Sequence, residues 1–435
     1  MCDFFPAATR AGMDGMPDIL AGPLRARLAT ANADPEWGAA CAHVGQEWAR
    51  EADEYYRAVA TPHPTRQPLI RVGVKDNIDC EGFPTRLGSR RYRHYPQRSA
   101  EVLTRIPAEN ITCKTQLTEV TLGIDAGCRN PLFPGGWPGA SSTGSGVSVA
   151  ANICDISIGT DSLGSVRFPA VACGVVSLRS AHDPALLRGV LPMSPSLDAV
   201  GWFARTVDDL RLAAQRFTSL RPAAPPGGRR PRLALVTEVL SDDLCDQRVL
   251  RDYESYARRA EASGIEVLEV SLGEVWKVRL ASWALCARES YEMFSPYAEL
   301  LEPLGEDVRN VMRLGQEIPP SAAEELRSRL PSLREDAGTR LARLAADVLV
   351  MPVAPFVLPS PEEVAAWPMI FPDVRDPAAE ALAGYAPVAS ILGWPALTVP
   401  VRRDAADSPR QAGVQLLAPP GSEFMLMDLA EKTAA

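Results

Sequence analysis

The chain has 435 residues and a formal net charge of −9, with 46% hydrophobic and 23% charged residues. That is enough chain and apolar content to bury a core without disulfides or metals, and it excludes general disorder. The acidic balance argues against nucleic acid or an anionic membrane as partner.

Taken from the N-terminus, MCDFFPAATRAGMDGMPD lacks the basic start and apolar stretch of a signal peptide. No apolar run reaches the roughly 18 residues of a membrane helix, because Asp, Arg or Pro interrupts each candidate. The expectation is a soluble, cytoplasmic protein. Residues 17–60 read as helices, from the apolar spacing in ILAGPLRARLATA and GQEWAREADEYYRAV. Pro62, Pro64 and Pro68 mark a break. Residues 69–215 then alternate short apolar runs with glycine-rich turns, the pattern of an α/β core. Within it IRVGV and NICDISIG read as buried strands.

Residues 221–231, RPAAPPGGRRP, form a Pro/Gly/Arg-rich connector. Beyond it RLALV reads as a strand, 246–262 as a helix and IEVLEVSL as a further strand. Residues 274–345 are mainly helical, and DVLVMPV and PALTVPV read as late strands returning to the sheet. Those late strands need early partners, so one compact α/β unit over 1–435 is expected rather than two domains.

The nine cysteines are odd in number, scattered and without a C-x-x-C pair, which suits reduced thiols. The four histidines show no metal-ligand spacing, and they leave few candidates for a Ser-His-Asp triad. His182, near the motifs below, is read as a surface or core residue. No metal and no cofactor are expected.

Only Lys75, Lys114, Lys277 and Lys432 are lysines, among 45 basic residues. Arginine keeps its proton in a protein, whereas a buried lysine can lose it. A lysine in an apolar setting therefore suggests a need for a neutral amine. Lys75 interrupts the β-like run 69–74. Lys114 follows Ile111 and Cys113 and is the competing candidate. Lys277, beside Trp276, is read as a snorkelling helix residue and Lys432 as a solvated tail charge.

The most unusual stretch is 138–169, PGASSTGSGVSVAANICDISIGTDSLGSVRFP. Two Ser/Gly clusters flank a short apolar helix-plus-strand. Glycine-rich turns that open helices expose N–H groups to anions. The phosphate-loop G-K-[ST] ending is absent, as are G-x-S-x-G and S-x-x-K. A nucleophilic serine here must find its base elsewhere, and a neutral lysine is one solution. Taken singly, each residue also has a plain structural reading. Ser141 and Ser142 could cap the next helix, Ser165 could be a turn residue, and Lys75 could pair with Asp76.

The segments VKDNIDCEGFPTRLGS (74–89), NP (130–131), PGASSTGSG (138–146), GTDSLGSVRFPAVACGVVSL (159–178) and SLDAVGWFARTVDDL (196–210) resemble the amidase signature family in order and spacing. GWPALTVPV (393–401) and GVQLLAPPGSE (413–423) are similar to its C-terminal strands. The resemblance implies a single α/β/α layered domain around a large, twisted, mixed sheet. It implies a triad of Ser165 as nucleophile, Ser141 as relay after a cis peptide at Ala140–Ser141, and Lys75 as base. Ser141 and Ser165 stand 24 residues apart, as the family's two serines do. Backbone N–H groups of Ser162, Leu163, Gly164 and Ser165 would hold the oxyanion, with Asp161 and Arg167 supporting their turn.

Ala140, Thr143 and Leu163 depart from the family pattern, each replacing its usual glycine. A positive φ at Leu163 would cost about 1 kcal/mol or more. The implied activity is hydrolysis of a small carboxamide through an acyl-Ser165 intermediate. Acyl transfer from the same intermediate is the alternative, and a glutaminase-type subunit of an amidotransferase is a third. The oligomeric state stays open, a homodimer being one option.

Overall fold

Among the described residues, eleven short runs pair into one mixed sheet. They are β1 (Ala60–Pro62), β2 (Val72–Lys75), β3 (Ile111–Thr115), β4 (Ile156–Asp161), β5 (Val176–Arg179), β6 (Ala199–Ala204), β7 (Leu233–Val236), β8 (Val267–Val270), β9 (Val348–Pro352), β10 (Ala396–Val401) and β11 (Ala412–Leu417). Their order across the sheet is β1-β3-β2-β4-β6-β5-β10-β11-β9-β7-β8. The computed structural model describes residues 24–36, 39–43, 60–62, 69–133, 136–222, 229–301, 303–372, 384–401 and 412–433.

β2 runs parallel to β3 and β4, and β7 runs parallel to β8 and β9. Between these two parallel blocks the ladder from β4 through β6, β5, β10 and β11 to β9 is antiparallel. The late strand β10 thus pairs with the early strand β5, as the sequence pattern requires.

Successive strand residues point to opposite faces, so Trp202 and Phe203 enter different apolar clusters. The larger cluster takes Val72, Val74, Ile156 and Ile158 together with helix α4 (Val207–Phe217) and helix α6 (Arg279–Phe294). The smaller takes Val147 and Val149 from helix α2 (Thr143–Ala150) and Ala170–Ala172 from helix α3 (Arg167–Ala172). Val72, Val74, Ile156 and Ile158 are fully buried, worth about 1.5–3 kcal/mol each. This α/β arrangement, with flanking helices, is the fold class the motifs imply.

Of the helices expected over 17–60, α1 (Leu24–Ala33) is seen and 39–43 is helical, while the rest lies largely outside the described residues. The connector 221–231 is described only at its ends. Helix α5 (Gln247–Ala262) begins where Asp246 Oδ1 accepts from the Arg248 N–H at 2.7 Å. The helical region after 274 includes α6, α7 (Glu306–Glu317) and α8 (Pro320–Leu344).

The run NICDISIG differs from its expected form. The strand starts only at Ile156, because Asn152 takes a left-handed φ of 58° and Asp155 turns its side chain to the backbone N–H of Arg71 at 2.9 Å. Asp155 is fully buried and also binds the guanidinium groups of Arg27, Arg71 and Arg205. Burial alone would raise its carboxyl, but Arg71 and Arg27 hold it well below the usual range. This knot pins α1 to the start of β4.

The eight described cysteines are free thiols, all buried. Among the described residues no helix is long and apolar enough to cross a membrane.

Candidate active site

β2 delivers Lys75 as its last residue, fully buried. On the parallel neighbour β3, Lys114 aligns with Val74 and Thr115 with Lys75. Alternation therefore sends Lys114 to the face opposite Lys75. Lys114 Nζ donates to the Ile78 carbonyl oxygen at 2.6 Å and lies 3.4 Å from Asp76 Oδ1. The ion pair with Asp76 thus belongs to Lys114. Lys75 Nζ instead donates to Ser141 Oγ at 2.8 Å, to Thr160 Oγ1 at 2.8 Å and to the Thr160 carbonyl oxygen at 3.4 Å. Burial pushes Lys75 down to about 7, against the pull of Asp198 and Asp161. At that value a neutral amine is well populated near pH 7, and Ser141 can donate to it as readily as accept.

The Ala140–Ser141 peptide is cis. Ser141 sits just ahead of α2, but neither it nor Ser142 caps the helix with its side chain. Ser142 Oγ donates to the Thr160 carbonyl oxygen at 3.0 Å, and its N–H reaches the Ser165 carbonyl oxygen at 3.2 Å. Both serines are thus drawn onto the end of β4. Thr143 Oγ1 donates to the Gly139 carbonyl oxygen at 2.7 Å. The glycine that this loop requires is Gly139, with φ of 80°, where a Cβ would stand 2.7 Å from Pro169 Cα.

The 162–165 turn joins β4 to α3. Asp161 organises it by accepting from the N–H groups of Gly164 at 2.9 Å and Val166 at 3.0 Å. Arg167 binds both carboxylate oxygens, Nε at 3.0 Å and Nη2 at 2.7 Å, and Arg179 adds a contact at 3.1 Å. Burial would raise the Asp161 carboxyl, yet Arg167 and Arg179 hold it far below the usual range. Arg167 also donates to Gln415 Oε1 at 2.9 Å and Ser390 Oγ at 3.2 Å, tying the turn to the late chain.

Of the four N–H groups expected at an oxyanion, that of Gly164 is taken by Asp161. Among the described residues none accepts from the N–H of Leu163 or Ser165. Leu163 has an ordinary φ, so no conformational penalty attaches to it; the left-handed residue of the turn is Gly164, at 128°. Ser162 turns its hydroxyl to Asp198 Oδ1. Asp198 also accepts from the N–H groups of Met193 at 2.9 Å and Ser194 at 3.0 Å, and burial pushes it up to about 6.

Ser165 is half-buried and opens onto a pocket of about 660 Å³, mouth included, together with Leu163, Ala140 and Thr121. No described residue hydrogen-bonds to Ser165 Oγ. The structure thus joins Lys75 to Ser141 directly, while the Ser165 carbonyl oxygen is held by the N–H of Ser142, the next residue along. His182 lies apart, its Nδ1 2.7 Å from the Asp198 carbonyl oxygen. Among the described residues no group of His, Cys, Asp and Glu is arranged to hold a metal.

Sequence reasoning did not single out Thr160, Asn77, Asp198, Arg179 or Gln415. Asn77 Nδ2 donates to Thr160 Oγ1 at 3.2 Å. Thr160, Asn77 and Asp198 lie within the recognised motif segments, and attention to their polar side chains could have found them. Gln415 lies in the segment 413–423 likened to the family's C-terminal strands, as the one amide of its apolar run.

Leu163 is 3% exposed and forms a wall of this pocket. Leu163→Gly is expected to raise kcat/KM for bulky amides relative to small ones, because the N–H groups and not the isobutyl group would bind the oxyanion. Lost burial and added chain freedom should cost about 2 kcal/mol or more, read as a lower Tm. A uniform loss of kcat without a change in substrate ranking would mean that the turn itself had been disordered.

A family model described as Amidase matches residues 24–427. The chain is 30% identical to a 2-amino-5-chloromuconic acid deaminase of Comamonas testosteroni, over 83% of this chain and 80% of that one. It is 28% identical to a mandelamide hydrolase of Pseudomonas putida, over 56% of this chain and half (50%) of that one. Among solved structures, the allophanate hydrolase of Kluyveromyces lactis superposes with a TM-score of 0.71 at 23% identity, covering 84% of this chain and 62% of that one.

Proposed function

The chain belongs to the amidase family, whose members hydrolyse amide carbon–nitrogen bonds, and on that premise we propose that Ser165 is the nucleophile, Ser141 the proton relay and Lys75 the base. The observation that carries this reading is the 2.8 Å bond between Lys75 Nζ and Ser141 Oγ, made by a lysine that burial pushes down to about 7.

Ser165 Oγ attacks the carbonyl carbon. Its proton passes to Ser141, while the proton of Ser141 passes to Lys75. The tetrahedral oxygen rests on the free N–H groups of the turn, those of Leu163 and Ser165, with Ser162 adjacent. One such donor is typically worth about 10²–10³ in rate. Collapse breaks the carbon–nitrogen bond, and the relay returns the proton to the leaving nitrogen. Water then attacks the acyl-Ser165 ester with the same groups acting in the same order, releasing the acid. Ser165 and Ser141 need only close on each other when substrate binds, as catalytic hydrogen bonds commonly do. The interleaving of β5 with β10, and the reach of Arg167 to Gln415, support one catalytic unit spanning the chain.

Acid quenching during the first turnover of a hydrolysed amide should trap protein heavier by the acyl group. Peptide mapping should place that mass on Ser165. A trapped acyl group on any other residue would overturn the assignment.

A further inference from the structure

The pocket beside Ser165 is walled by rings. Trp137 and Trp367 meet edge to face, with centroids 5.8 Å apart and planes at 76°. Trp283 and Phe371 meet in the same way at 5.0 Å and 73°. All four line the pocket that Ser165 faces. Among its described lining residues none carries a charge, and Thr121 and Ser165 supply the only hydroxyls. The Trp137 indole N–H is already spent on the Ile124 carbonyl oxygen at 3.2 Å.

We infer that the acyl part of the substrate is an uncharged aromatic group, its ring seated among these two aromatic pairs while its carbonyl carbon meets Ser165. The inference rests on the reading of Ser165 as nucleophile.

Three arguments support it. Rings carry a negative face and a positive edge, so a third ring gains from edge-to-face and offset contacts with walls already set at steep angles. A charged substituent would lose its hydration here and find no partner on the described walls. Free glutamine, with an ammonium and a carboxylate, is disfavoured on that ground. Lastly, the acyl group stays attached through both chemical steps, whereas the amine leaves after the first. Only a ring on the acyl side can use pocket contacts to lower both barriers.

The first test uses the full-length protein with phenylmethanesulfonyl fluoride and methanesulfonyl fluoride. With either reagent Ser165 Oγ forms a bond to sulfur, the sulfur–fluorine bond breaks, fluoride leaves, and the serine proton passes through Ser141 to Lys75. The expected result is labelling of Ser165 at least about 10-fold faster by the phenyl reagent. Equal rates at Ser165 would remove the aromatic assignment and leave the nucleophile standing. Absence of label at Ser165 would remove the nucleophile reading, and this inference with it.

The second test compares phenylacetamide, acetamide, N-benzylacetamide and glutamine as substrates. Phenylacetamide should exceed acetamide by about 100-fold or more in kcat/KM, and N-benzylacetamide and glutamine should not. A preference for N-benzylacetamide would put the ring on the leaving side and overturn the assignment, and a preference for glutamine would overturn it outright. Trp283→Ala should cut the phenylacetamide-to-acetamide ratio by about 10-fold. Trp283 is buried, so half-buried Trp367→Ala supplies a second variant, each checked for fold by circular dichroism. A ratio unchanged in folded samples of both variants would overturn the inference.

Discussion

Ser165→Ala should lower kcat by about 10⁶-fold while leaving the protein folded, since loss of a nucleophile removes the acyl-enzyme route entirely. What remains would be the modest catalysis of binding and oxyanion contacts alone, about 10³–10⁴ over water. The stability half of the expectation follows from the structure. Ser165 Oγ makes no hydrogen bond to a described residue and stands half-exposed in the pocket, so its removal orphans no buried group. A change within about 0.5 kcal/mol is expected from denaturant titration. An inactive variant that is also strongly destabilised would make Ser165 a structural residue. A folded variant that still shows burst acylation would remove it from the mechanism.

Lys75 should govern the pH profile. Only the neutral amine can take a proton, so kcat/KM follows the neutral fraction. That fraction grows as pH rises through about 7, the value to which burial pushes Lys75 down. Between pH 6 and pH 8 the expected rise is about tenfold, flattening above. Asp198 and Asp161 act in the opposite direction, favouring the charged amine, and burial outweighs them.

The same depression has a stability sign. A lysine whose folded value lies below its unfolded one contributes stability that is fully present above the unfolded value near 10.5 and is lost as pH falls through about 7. Lys75→Ala should therefore cost several orders of magnitude in kcat, whereas Lys114→Ala should cost far less. Lys114→Ala leaves Asp76 buried without its ion partner, a stability loss of about 3–5 kcal/mol, so rates must be normalised to folded protein. A flat profile from pH 6 to 8 with chemistry rate-limiting, or equal losses in the two variants, would remove Lys75 as base.

The candidate site residues were legible because each motif is a local run of sequence. Period and punctuation mark a lysine closing an apolar strand and two Ser/Gly clusters around a short helix and strand. A joint role for Lys75, Ser141 and Ser165 came from the resemblance to the amidase signature family, since each alone also had a structural reading. Lys75 does end β2, and α2 with β4 does lie between Ser141 and Ser165. The return of a late strand to an early one was likewise implied, because buried strands must find partners for their backbone groups; β10 does so on β5, whereas β9 pairs only with the late strands β7 and β11.

Other features depended on contacts between distant segments. On its apolar setting alone Lys114 rivalled Lys75, and only the resemblance favoured Lys75; the register of β3 against β2 puts the two on opposite faces, and a shift of one residue would have exchanged them. The strand within NICDISIG starts late because Asp155 answers three arginines, Arg27, Arg71 and Arg205, from far along the chain. One local detail was also not anticipated: the N–H that Asp161 takes is that of Gly164, one of the four expected at the oxyanion. The aromatic pocket draws Trp137, Trp283, Trp367 and Phe371 from separate stretches, none of which carries a motif. Sequence alone determined which residues are candidates for the site and which strand or turn carries each, since backbone periodicity is set by neighbours in the chain. Tertiary structure alone decided the contacts, Lys75 Nζ on Ser141 and Lys114 on Asp76, and what walls surround Ser165, since side chains from remote segments meet only when sheet register and helix packing bring them together.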